Sequence, residues 1–166
     1  MVAALQPPDS FYLQAAQGWV ELGNCLEAQQ ELDKIRPEMR RNPAVLNVQW
    51  EVYAAEKKWA PAVEIAASLI ELQPDNALGW VHRSYALHEL KLTLQARDNL
   101  LQVVDKFPSS VTIRYNLACY ECQLGNLAQA RIWLEMAFRI GNRSQMKLAA
   151  LEDQDLKPLW EEIRSS

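Results

Sequence analysis

Two histidines, two cysteines and a tyrosine carry what chemistry this sequence offers. His82, Tyr85 and His88 follow one another at i, i+3 and i+6, and Cys119 and Cys122 repeat the Tyr85-to-His88 spacing further along the chain. Thiols and imidazoles are soft ligands that suit zinc or copper(I). A lone CxxC within a helical stretch, with no second pair and no knuckle turn, is a poor metal signature. The favoured reading is that small thiols and amphipathic rings line a surface, and no metal or cofactor is expected. Cys25, just after the Gly23-Asn24 turn, falls near a helix start, a place that favours a thiolate; it is read as an ordinary cysteine.

Catalysis needs a nucleophile, or an acid and a base, held within reach of each other. The five glycines form no phosphate-cradling motif, and H-E-x-x-H and G-x-S-x-G are absent. An enzyme is therefore not expected. A formal net charge of -4 argues against nucleic acid, whose phosphates demand clustered Lys and Arg. The densest basic stretch, Arg36, Arg40 and Arg41, lies where a helix should end, and there cations meet the carbonyl end of the helix dipole.

At 166 residues the chain can bury a core of its own, and 49% hydrophobic with 23% charged residues is too apolar for disorder. The opening stretch MVAALQPPDS has neither the charged start nor the apolar run of a secretory signal, and no window approaches a membrane span. Three cysteines make an odd count for a disulfide framework. Reduced thiols and a cytoplasmic location are the expectation.

The elements that would position any site come from an internal repeat. Ala28, Ala62, Ala96 and Ala130 recur at one constant interval, followed four residues on by Leu32, Ala66, Leu100 and Leu134, and three further on by Ile35, Leu69, Val103 and Ala137. Apolar residues at i, i+4 and i+7 make one stripe of a helix, and the small residue at its head admits a close neighbour. Upstream of each alanine runs a second helical stretch carrying Tyr12 and Trp19, Leu46 and Tyr53, Trp80 and Leu87, and Tyr115 and Leu117. Asp9 or Ser10, Asn42 before Pro43, Asn76, and Ser110 are the expected N-caps. Turns are expected at Gly23-Asn24, Lys57-Lys58, Lys91-Leu92 and Gly125-Asn126, only two of which have glycine.

These residues resemble the tetratricopeptide repeat family, bacterial type. The likeness rests on a 34-residue helix-turn-helix unit, an alanine opening each second helix, and exit prolines at Pro74 and Pro108. It implies an all-α fold: a right-handed superhelical array of antiparallel helix pairs, an α-α solenoid of four repeats with C-terminal capping helices. The expected division of a single domain is a tail over 1–8, repeats over 9–42, 43–76, 77–110 and 111–143, and a cap over 144–166. Trp50 departs from the pattern, standing in the small column of Ala16, Ser84 and Ala118, and should either force the neighbouring helix outward or require a compensating small residue such as Ala66. Met146, Leu148, Leu151, Leu156, Leu159 and Trp160 are read as the cap, and AALEDQDLKPLW resembles the closing element of such arrays.

If the repeats stack as the resemblance implies, their first helices line a concave groove. Its residues would be Leu13, Gln17 and Val20; Asn47, Val48, Glu51 and Ala55; Leu78, Val81, His82, Tyr85, His88 and Glu89; then Tyr115, Asn116, Cys119 and Cys122. Relatives that hold acidic chaperone tails use Lys, Arg and Asn in this groove, where this chain has Leu13, Gln17, Val48, Leu78 and His82. The carboxylate-clamp reading is disfavoured. A peptide or amphipathic helix held by apolar contacts is the expected partner, with neither nucleic acid nor membrane insertion. The rival expectation is self-assembly through exposed end faces, for which Leu156 and Trp160 are candidates, giving a homodimer.

Overall fold

The computed structural model describes residues 4–165; the first three residues of the expected tail and the last residue of the expected cap lie outside them. Among the described residues ten α-helices run in order: α1 Asp9–Glu21, α2 Cys25–Lys34, α3 Pro43–Ala55, α4 Trp59–Leu72, α5 Ala77–Glu89, α6 Thr93–Leu101, α7 Val111–Gln123, α8 Leu127–Ile140, α9 Arg143–Glu152 and α10 Trp160–Ser165. No strand occurs among the described residues. The odd-numbered helices α1 to α7 start at an even interval, and the even-numbered helices α2 to α8 start at that same interval. Short turns make α1 with α2, α3 with α4, and α7 with α8 antiparallel packed pairs.

The turn inside each pair is built the same way four times. After α1, Gly23 N–H donates to Val20 O at 2.9 Å and Asn24 N–H to Trp19 O at 2.8 Å. The same pair of bonds follows α3 at Lys57 and Lys58, α5 at Lys91 and Leu92, and α7 at Gly125 and Asn126. This double closure satisfies the last helical carbonyls and needs a left-handed residue at its centre. Gly23 and Gly125 meet that need at φ 73° and 82°, and Lys57 and Lys91 adopt it too, at φ 56° and 66°. The turns lacking glycine therefore fold as the others do, at some backbone cost.

Capping follows the sequence in part. Asn42 accepts from Ala44 N–H, Asn76 from Leu78 N–H, and Ser110 from Ile113 N–H. α1 differs: Pro8 stands at its cap position without a side-chain bond, and Asp9 is its first helical residue. Instead of capping, the buried Asp9 carboxylate accepts from Arg36 N–H at 3.0 Å and from Arg36 Nε at 2.7 Å. It fastens the start of α1 to the exit of α2. Arg40 donates to Ile35 O and Asp33 O, so this basic stretch serves the carbonyl end of α2 as expected.

The chain forms two compact units, Met1–Ala86 and Leu87–Ser166, with the boundary inside α5. In the first, Ala16, Ala28, Leu32, Ile35, Val45, Val48 and Val52 form one core between α1, α2 and α3. Trp50 centres a second, packed with Ala62, Ala66 and Ala86. The bulky ring in a small column is thus accommodated by three alanines, Ala66 among them. Gly79 is buried, and a Cβ there would stand 3.1 Å from Ile70 N, so a larger residue would require α4 to give by a few tenths of an ångström. In the second unit, α7 and α8 pack together and meet the C-terminal elements α9, a 3-10 helix over Gln154–Leu159, and α10.

Candidate docking surface

In the first unit the expected groove residues on α1, α3 and α5, save the buried Val48, give a half-exposed wall. Asn47 lies at its centre. Its Nδ2 donates to Glu51 Oε1 at 2.8 Å, and its Oδ1 sits 2.9 Å from His82 Nε2, which an Nε2–H tautomer satisfies as donor. His82 stacks flat on Trp50, with ring centroids 3.7 Å apart and planes 8° from parallel. Burial depresses its pKa to about 4, so the ring is neutral near pH 7. Burial raises the Glu51 pKa; the Asn47 bond opposes this, and the Glu21 charge adds to it. Tyr85 lies edge-on to both Trp50 and Trp59.

Beside these groups the wall opens into a cleft of about 230 Å³ that includes Pro43, Asn47, Leu78 and Gly79. A neighbouring cleft of about 380 Å³ shares Pro43, Ala44 and Gln73 and adds Leu5 and Leu13. Leu78 and Tyr85 are 41% and 42% exposed, large apolar groups held in water. Gln17 and Ala55 are also exposed, and Leu13, Val20 and Val81 are half-buried. Val48 is not on this surface: it belongs to the core with Val45 and Val52, because its side of α3 faces α1 and α2.

In the second unit the expected wall residues are covered by the chain's own C-terminal segment. Tyr115 donates its hydroxyl to Asp153 Oδ2 at 3.0 Å, and Cys119 Sγ lies 3.5 Å from the same oxygen. His88 Nε2 meets Asp155 Oδ2 at 3.0 Å, while its Nδ1 meets Thr93 Oγ1. Gln123 donates to Asp155 O. Leu156 and Leu159 are fully buried, and Trp160 Nε1 donates to Ala150 O and Asp153 O. Asn116 and Glu89 are half-buried, whereas His88, Cys119 and Cys122 are buried. Burial, with Asp153 and Asp155 beside them, pushes both thiols and the Tyr115 phenol to higher pKa.

Burial thus favours the protonated thiols, which are weaker nucleophiles than thiolates. No cluster of three or more His, Cys, Asp or Glu capable of holding a metal occurs among the described residues. All three cysteines are free. Leu156 and Trp160, the candidates for an exposed end face, instead pack within their own chain. The covering role of Asp153 and Asp155 escapes a sequence reading, since their partners lie 34 to 67 residues away. Only the A-x-x-D-x-D-L spelling hinted at it.

Comparison with known proteins adds the fold. No protein-family model matches the chain, and no match is found among curated proteins. Solved structures do match: MamA RS-1 ArsTM double mutant superposes with a TM-score of 0.71 at 14% identity, covering 85% of this chain and 79% of the other. MamA MSR-1 C2 superposes at 0.68 and 20% identity, covering 82% and 78%. A further MamA mutant gives 0.67 at 15% identity, covering 94% and 90%. MamA is a tetratricopeptide-like protein, so the helical-repeat fold expected from the 34-residue period is the fold found. No helix of the described residues is long and apolar enough to cross a membrane.

Proposed function

We propose that this protein is a non-catalytic scaffold that grips a peptide or amphipathic helix of a partner protein on the wall of its first unit. The observation that carries this reading is the pairing of exposed Leu78 and Tyr85 with the fixed polar line His82, Asn47 and Glu51. Apolar anchors in water gain from being covered, and a rigid line of hydrogen-bonding groups sets the register of what covers them. The two clefts that share Pro43 and Ala44, one of them lined by Asn47, offer about 230 and 380 Å³ to the side chains of such a segment.

Among the described residues the wall presents no cation that would select an acidic tail. The His82 imidazole is neutral, and the Glu51 carboxyl beside it offers no positive charge. The segment that fits has apolar side chains with amide or hydroxyl groups between them. The test is capture of partners with the intact protein and with a Leu78→Asp, Tyr85→Ala variant. Leu78 and Tyr85 are both exposed, and circular dichroism of the variant checks that it keeps its fold. Partners held by the intact protein and lost by the variant support the reading; identical capture by the two puts the docking surface elsewhere.

A further inference from the structure

We propose that the segment ahead of α1, Ala4 to Gln6, is a strap on the docking wall, and that a partner must displace its Leu5 to seat an apolar side chain there. Resting on the docking reading above, it adds how access to that wall is controlled. Ala4 and Leu5 line the cleft of about 380 Å³ together with Leu13 of α1 and with Pro43 and Ala44 of α3. The adjoining cleft shares Pro43 and Ala44 and carries Asn47 and the exposed Leu78. A segment lying along Leu78 and Asn47 therefore runs on toward Leu5.

The strap is lightly held. Leu5 is half-buried and packs on the core that contains Ala16, Val45 and Val48, while Ala4 and Gln6 are exposed. One apolar side chain thus anchors it. Leu13, Pro43 and Ala44 belong to helices, but Ala4 to Gln6 has no regular structure, and irregular exposed backbone opens at the low end of a protein's range of local stabilities. It cannot zip into α1: Pro7 and Pro8 lack amide hydrogens, and a residue ahead of proline is disfavoured in helical backbone. Gln6 O accepts from Ser10 N–H at 3.2 Å, which sets the pivot at Gln6 and leaves Ala4 and Leu5 to swing.

The strap has the chemistry of what it excludes. Leu5 and Gln6 set an apolar side chain beside an amide, the pattern that fits the wall. A competitor in the same chain is always present, so the partner's apparent affinity falls by the fraction of molecules whose strap is open. Exposing a half-buried leucine shifts such an equilibrium by about three- to tenfold. A partner with several apolar anchors overcomes that factor; a segment with one does not.

Fluorescein-labelled peptides selected from a random display library on the intact protein, titrated by anisotropy against the full chain and its Leu5→Ser variant, test the strap. The variant should bind about three- to tenfold tighter. Unchanged or weaker binding would overturn the proposal, since Leu5 would then be a bystander or part of the seat. The dye anilinonaphthalene sulfonate reads the cleft with no peptide present: its emission should rise in Leu5→Ser and fall back when Ala44→Glu, at an exposed position, is added. No rise, or a rise that Ala44→Glu leaves intact, would equally refute the strap. Peptides indifferent to Leu78→Asp would instead refute the wall itself, and the dye comparison still decides whether Leu5 covers the cleft.

Discussion

Trp50 and His82 lie face to face, 3.7 Å apart, and the tryptophan owes its place to the three alanines behind it. A residue too large for its repeat column becomes the platform on which the histidine is buried and kept neutral. This stack turns an irregularity of the repeat into the floor of the proposed docking wall.

The buried imidazole predicts a specific loss of stability in acid. The His82 pKa is depressed from 6.5 to about 4, so above pH 6.5 neither state binds the proton and stability is complete. Between pH 6.5 and 4 the unfolded chain protonates while the folded one does not, and stability falls by on the order of 2–3 kcal/mol. Glu51, raised by burial, acts oppositely: its contribution is present below its unfolded value of 4.5 and lost as pH rises through the folded one. Urea unfolding at pH 7.5 and pH 5 should therefore show a drop that His82→Gln removes. An equal drop in the variant would assign the effect to other groups.

The lysines in left-handed turns predict gains. Lys57→Gly and Lys91→Gly relieve the side-chain clash at positive φ while keeping both turn hydrogen bonds, and each should stabilise the protein by about 0.5–1 kcal/mol. A chain of this size should melt a few degrees higher for each. The matching change in the other two turns, Gly23→Lys or Gly125→Lys, should lower the melting temperature by a similar amount.

The C-terminal segment predicts which thiols react. Under native conditions Cys25, half-exposed, should alkylate first, and Cys119 and Cys122 only on unfolding, because Asp153 and Asp155 cover them and burial keeps them protonated. Mass spectrometry after timed iodoacetamide treatment reads this directly. Labelling of Cys119 at the rate of Cys25 would mean that the segment does not stay in place.

The same segment predicts an asymmetry in mutational cost. Leu156 is fully buried under it, so Leu156→Ala should cost roughly 2–5 kcal/mol, as cavity-forming substitutions do. Leu148→Ala, on the exposed side of α9, should change stability by less than about 0.5 kcal/mol. Equal effects at the two positions would refute the cap.

The repeat period made the fold legible because it carries its own redundancy: four alanines, four stripes and four turns in step. The caps at Asn42, Asn76 and Ser110 were legible for the same reason, since a side-chain oxygen before a helix has one use. Asp9 was not, because its partner Arg36 lies beyond an entire helix pair, and an acid at a helix start reads as a cap. Of the residues expected in the groove, Asn47, Glu51 and His82 are joined by hydrogen bonds, and Leu78 and Tyr85 are exposed. Val48 failed because the core side and the open side of α3 differ by one residue in register. His88, Cys119 and Cys122 failed because a segment more than thirty residues away in sequence closes over them.

The wall around Asn47 is proposed as the docking surface. Peptides selected from a random display library on the intact protein, then titrated by fluorescence anisotropy, test this most directly. The account predicts apolar segments with interspersed polar residues that lose at least tenfold in affinity on Leu78→Asp or Tyr85→Ala and none on Leu148→Asp. Selected peptides that bind all of these variants equally well, or that are uniformly acidic, would contradict it.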